Sequence, residues 1–136
     1  LLSEGMEPDE ENLHYIHKNK TAAMIRAALQ MGLRIGNRGG DEELLYAIGK
    51  AGISLGMAFQ AVDDLLDVTG TSDQLGKDAA HDADSGKVTW VRLLGENKAR
   101  ELAAKHTEDA LEEIKRVGGE NTFLLELVKR MLDRTN

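Results

Sequence analysis

Between Leu44 and Val68 the chain is predominantly apolar and contains no proline, so this stretch reads as one long helix. Successive residues on a helix turn by ~100°. Ile48, Gly52, Leu55, Phe59, Val62 and Leu66 then share one arc, the expected packing face. Gln60, Asp63, Asp64 and Asp67 fall side by side on an adjoining stripe. Three carboxylates at i, i+1 and i+4 repel one another by roughly a few tenths of a kcal/mol per pair. They also lie in the last turns before Gly70, where the helix dipole disfavours negative charge by ~0.3–1 kcal/mol. Cations are expected to compensate them, and an all-oxygen donor set suits Mg²⁺. A solvated acidic helix end is the alternative. Gly49 and Gly56 continue the line of Asp63 and Asp67, with Gly52 beside it, and each costs ~1 kcal/mol relative to alanine inside a helix. They fit either close helix packing or a groove that leads to the carboxylates.

The flanking segments read as further helices. Pro8 suits a helix opening, with Asp9, Glu10 and Glu11 in the first turn. That helix is expected to run to about Gly36 on an apolar face of Leu13, Ile16, Met24, Ala27 and Met31, with Lys20 in the middle of the face. A lysine there either snorkels to water or reaches into a cavity. His14 and His17 lack a nearby third ligand type, which argues against a metal. Gly39-Gly40 breaks the chain and Asp41 is a candidate N-cap. Gly70 is expected to stop the central helix, and residues 71–85 read as a long polar loop. From Lys87 the helical pattern resumes, with Gly95 as an interruption and Gly118-Gly119 as its end. Glu101 with Lys105 and Glu112 with Arg116 are expected surface pairs. A last helix begins near Asn121 and is expected to pack through Phe123, Leu124, Leu127, Val128 and Met131. Nothing alternates with a period of two, so no sheet is expected and the fold class is all-α, one domain of four or five packed helices over residues 1–136.

Several short motifs recur in order. Ile16-His17-x-x-Lys20-Thr21 precedes Phe59-Gln60-x-x-Asp63-Asp64-x-x-Asp67, and Gly76-Lys77 and Gly86-Lys87-x-Thr89 follow it. Together they resemble the Lys-Thr motif and the second aspartate-rich region of the trans-prenyl diphosphate synthases, the farnesyl and geranylgeranyl diphosphate synthase family. The resemblance covers nearly the whole chain. It implies a helical bundle like the C-terminal half of the isoprenoid synthase fold. It also implies an intact enzyme that condenses isopentenyl diphosphate with an allylic diphosphate after Mg²⁺-assisted ionisation. Asp63, Asp64 and Asp67 would then hold Mg²⁺. Lys20, Lys77 and Lys87 would grip the allylic diphosphate, and Thr21 and Gln60 would present neutral dipoles to a carbocation. The family's first aspartate-rich motif and arginine pair are absent from these residues. Leu1-Leu2-Ser3-Glu4 reads as the interior of a longer chain, so this stretch alone is expected to be inactive and to bind Mg²⁺ weakly. Two departures stand out. Ala80 replaces the glycine usual two residues before Asp82, a change expected to affect loop closure. Thr89-Trp90-Val91 replaces Thr-Tyr-Pro, which removes a kink and makes Trp90 an expected packing residue.

The bulk properties narrow the field. A net charge of -7 and no basic stripe argue against nucleic acid. With no cysteine there is no disulfide framework, which fits a reducing, cytoplasmic setting. No segment is expected to span a membrane. The resemblance implies a homodimer. Two rival readings stay open, a non-catalytic synthase-like subunit and a helical interaction module with an acidic stripe. Product chain length is not legible, because in the family it depends largely on residues beside the first aspartate-rich motif.

Overall fold

A computed structural model describes residues 9–38, 40–74, 88–118 and 123–133, without the side chains of residues 37–38, 69–74 and 131–133. Among the described residues six α-helices follow in order: α1 (Glu10–His17), α2 (Ala23–Leu33), α3 (Glu42–Gln74), α4 (Trp90–Leu94), α5 (Glu96–Gly118) and α6 (Phe123–Asp133). A π-helical turn, Lys18–Ala22, joins α1 to α2 without a break, and a second, Arg34–Arg38, extends α2. There is no strand among the described residues. Pro8, Gly39, Gly119 and Asn121 lie outside them.

The helix starts are set by side chains that the sequence singles out. Asp9 is the N-cap of α1 rather than part of its first turn, and its carboxylate accepts from the Asn12 amide at 2.7 Å. Asp41 caps α3 in the same way, accepting from the Leu44 amide at 3.1 Å. Gly95 separates α4 from α5 with a φ of 83°, a conformation that side-chain-bearing residues rarely adopt.

Helix α3 is continuous through the expected span and goes further. It passes Gly70 and ends at Gln74, so Gly70 does not stop it and residues 71–74 are helical rather than loop. A lone glycine costs a helix only ~1 kcal/mol, and a helix already extended needs no new nucleus to cross it. By length and composition, Glu42–Val68 would pass for a membrane-spanning helix, contrary to the sequence expectation, but 67% of its apolar window is buried inside the chain's own core. α3 is the axis of the fold. Its C-terminal half packs with α1, α4 and the start of α5 around Leu13, Met57, Val62, Leu65, Trp90 and Ala103. Its N-terminal half packs with α2, α6 and the end of α5 around Ile48, Leu55, Ala110, Ile114, Leu125 and Val128. Helix α5 therefore runs antiparallel to α3. Across that contact the buried Glu113 pairs with Lys50, whose ammonium pKa is raised mainly by this hydrogen bond, and with Arg116 at 3.1 Å. Arg116 turns to Glu113 and Glu43 instead of the expected Glu112.

Several expected faces are rotated or incomplete. Met24 and Met31 are exposed, and Ala27 is too, whereas Ile25, Leu29 and Leu33 pack inward. The π-turn is the reason. It holds one residue more than an α-turn, so everything after Lys18–Ala22 lags the regular helical phase by about one position. Phe59, expected on the packing arc of α3, stands at its open edge and is exposed. In α6, Leu125 and Val128 are buried while Phe123 and Leu127 are exposed. Apolar side chains cover more of this short helix than its neighbours bury, and only the arc that meets α5 and α3 is covered.

Gly52 and Gly56 of α3 serve close packing, whereas Gly49 faces only the side chains of Gln30 and Arg26. A Cβ on Gly56 would meet the backbone of Ala22 under 3.0 Å, and one on Gly52 would meet that of Arg26 just as closely. Neither opens a groove. Gly56→Ala is therefore expected to destabilise by about 1–3 kcal/mol through overpacking. Gly32, with open space around it, is expected to gain up to ~1 kcal/mol as alanine. Chemical denaturation of the two variants checks the contrast.

Candidate active site

Helix α2 seats on the glycines of α3, and this lays the π-turn Lys18–Ala22 against α3. The Thr21 hydroxyl donates to Gln60 Oε1 at 3.2 Å, joining residues 39 apart in the chain. Thr21 and Gln60 are half-buried, and Lys20 beside them is exposed. Lys20 does not sit in an apolar face, because the π-turn takes it out of the regular phase.

On the continuous helix α3, Gln60 and Asp67 lie two turns apart on one line, with Asp63 close beside it. Asp63 is half-buried and Asp67 exposed. The structure thus brings Thr21 to Gln60, and the helix register carries Asp63 and Asp67 on the same side. Asp64 is placed differently. It is 2% exposed, and its Oδ2 accepts from the Trp90 amide at 2.8 Å, across the core side of α3. Lys77 and Lys87, like Ala80, Asp82 and Asp84, lie outside the described residues.

Asp63 and Asp67 are hard oxygen donors of the kind Mg²⁺ takes, which is commonly held by one or two carboxylates together with substrate phosphates. Among the described residues no group of three or more His, Asp or Glu side chains converges as a closed metal site. The donor set fits Mg²⁺ in kind and leaves most of its shell to other groups.

Trp90, an expected packing residue, is 1% exposed in the core beside α1. His17 meets its ring edge-on at 5.7 Å and His14 at 6.5 Å, so this histidine pair frames an aromatic ring. His106 on α5 lies near the same cluster. Burial lowers its pKa below the ordinary 6.5, with Lys105 and His14 adding to the effect and Asp109 opposing it. Sequence reasoning missed two features. The Asp64–Trp90 bond has no local signal, because 26 residues separate its ends. A cavity of about 510 Å³ between α2 and α3 is lined by Lys18, Arg26, Arg34, Tyr46 and Lys50 among others. Thr21, Gln60, Asp63 and Asp67 do not line it.

An all-α bundle that sets a lysine–threonine turn against an Asp-Asp-x-x-Asp helix has the form of an isoprenoid synthase. The chain belongs to the polyprenyl synthetase family, whose profile matches residues 2–126. It is 42% identical over 117 residues to geranylgeranyl pyrophosphate synthase 11, chloroplastic, of Arabidopsis thaliana, covering 84% of this chain and 32% of that protein. It is 39% identical over 113 residues to the heterodimeric geranylgeranyl pyrophosphate synthase large subunit 2 of the same plant, covering 81% and 30%. The crystal structure of a geranyltransferase from Helicobacter pylori superposes with a TM-score of 0.67 at 29% identity, over 96% of this chain and 41% of that one. The chain thus spans about a third of the length of the curated relatives it matches.

Two outcomes follow from the site. A double-mutant cycle of Thr21→Val and Gln60→Leu, read by urea denaturation, is expected to give a coupling of about 0.5–1.5 kcal/mol, the net worth of one hydrogen bond. Stability is also expected to fall with acid. His106 is held below its unfolded pKa, so the unfolded state binds the extra proton first. Stability is full above the unfolded value and is lost as pH falls from there through the lowered folded value. His106→Gln is expected to flatten that slope in denaturation midpoints taken between about pH 5 and about pH 8.

Proposed function

We propose that the protein carrying this chain is a trans-prenyltransferase that joins isopentenyl diphosphate to an allylic diphosphate. The observation that carries the reading is the Thr21–Gln60 hydrogen bond, which brings the Lys-Thr turn and the aspartate-bearing helix into one place. Family membership supports it, and so do the activities named for the relatives.

In this reading each residue has a separate task. The exposed ammonium of Lys20 contacts the allylic diphosphate, as a flexible point charge suited to phosphate. The Thr21 hydroxyl and Gln60 amide fix one another's orientation and present dipoles to the allylic carbon skeleton, where positive charge develops, without offering a nucleophile strong enough to trap it. Asp63 and Asp67 are the carboxylates that would hold Mg²⁺. When bound, Mg²⁺ would supply charge neutralisation for the leaving diphosphate. Lys77 and Lys87 belong to the same reading as further diphosphate contacts, on the strength of their Gly-Lys positions after the aspartate motif. The intact protein would act as a homodimer.

The test is an assay of the intact protein with Mg²⁺, isopentenyl diphosphate and a series of allylic diphosphates. Lys20→Ala is expected to lower kcat/KM for the allylic substrate by roughly 10- to 100-fold, the worth of a charge-assisted contact of ~1.5–3 kcal/mol. The KM for isopentenyl diphosphate should move little. Stabilisation by Mg²⁺ and diphosphate without any turnover would instead identify a non-catalytic subunit.

A further inference from the structure

We infer that Asp64, although it stands inside the Asp63-Asp64-x-x-Asp67 motif, acts as a positioning residue that clamps the start of α4 and not as a metal ligand. The inference rests on the prenyltransferase reading for the meaning of the motif, and on the structure for the role. Helical register places Asp63 and Asp67 on the side of Gln60. Asp64, one turn after Gln60, stands beside them on the helix but is 2% exposed, whereas Asp63 is half-buried and Asp67 exposed. Its Oδ2 accepts from the Trp90 amide at 2.8 Å. That amide is the first of α4, and the first amides of a helix have no partner within the helix. Thr89 caps the same turn by accepting from the Arg92 amide at 3.2 Å. Between them the two side chains hold two of the free amides of α4.

The consequence is mechanical. Trp90 stands three residues after Lys87 in the sequence, and its ring is locked between α3 and the histidines of α1. Asp64 therefore ties the chain that leaves the second Gly-Lys pair to the helix that carries Asp63 and Asp67. A carboxylate suits the position because its charge strengthens the hydrogen bond. An asparagine can still accept from the Trp90 amide, whereas an alanine cannot. A metal ligand would behave differently, since the neutral amide of asparagine is a poor substitute for a carboxylate at Mg²⁺.

The experiment compares Asp64→Asn, Asp64→Ala and Asp63→Asn in the intact protein. The readouts are the Mg²⁺ concentration giving half-maximal rate, and the fluorescence of Trp90 assigned by difference against Trp90→Phe. Asp64→Asn is expected to keep the Mg²⁺ requirement within about twofold of the parent, while Asp63→Asn raises it about tenfold or more. Asp64→Ala is expected to shift Trp90 emission to the red, and Asp64→Asn to leave it in place. An Mg²⁺ requirement raised as much by Asp64→Asn as by Asp63→Asn would overturn the inference. Parent-like Trp90 emission in a folded Asp64→Ala would overturn it as well. If Asp64→Ala does not fold, the asparagine pair decides alone. A parent protein without prenyltransferase activity would defeat the functional reading, and the fluorescence comparison would still decide whether Asp64 clamps α4.

Discussion

The structure depends on how closely α2 approaches α3. Two glycines on one helix let the backbone of the other come to within a distance that a single methyl group would forbid. Dispersion energy falls off steeply with separation, so the gain over a helix pair held apart by side chains is real, but each glycine weakens its own helix. α3 tolerates that cost because it is buried along much of its length, with α5 antiparallel along it and α1, α4 and α6 at its ends. The same approach sets the chemistry. Thr21 is within reach of Gln60 only because Ala22 rests on Gly56.

Helix α3 also reconciles two demands that the motif places on it. Carboxylates one and four residues apart on a helix repel one another, and any that is buried needs a donor. The structure divides them. Asp64 goes inward, where the Trp90 amide takes it, while Asp63 stays half-buried and Asp67 exposed. The polar contact on the core side is therefore not a defect in an apolar helix, because the carboxylate there has a donor at hydrogen-bond distance.

Much of this is legible in the sequence. The long helix, the Asp41 cap and the break at Gly95 follow from local rules, because caps, glycine and uninterrupted apolar runs act within a few residues, and the packing of Trp90 follows from a departure from the family motif. The family is legible from the order of short motifs. What is not legible depends on phase or on distance. Met24 and Met31 read as buried only if a constant 100° per residue is carried across residues 18–22, where the helix does not keep it. Phe123 and Leu127 read as buried because α6 is apolar over more than one face, and only α5 and α3 decide which face is used. Gly70 reads as a stop because the apolar pattern fades there, yet the hydrogen-bonded backbone continues. Asp64 reads as equivalent to its neighbours because spacing reports which face a residue is on, not what stands opposite.

The π-turn at Lys18–Ala22 has a bearing on how such a chain can change over time. One extra residue is absorbed within the turn, so the helices on either side keep their facing. Deleting a residue there would return an ordinary helix in which Leu13 before the turn and Ile25, Leu29 and Leu33 after it still met α3. Only the short displaced segment that carries Lys20 and Thr21 would be redrawn. Packing and chemistry are thus written in separable ways along one continuous rod. Gain or loss of a single residue can edit the Lys20–Thr21 step of that rod while the hydrophobic seam on both sides stays in register.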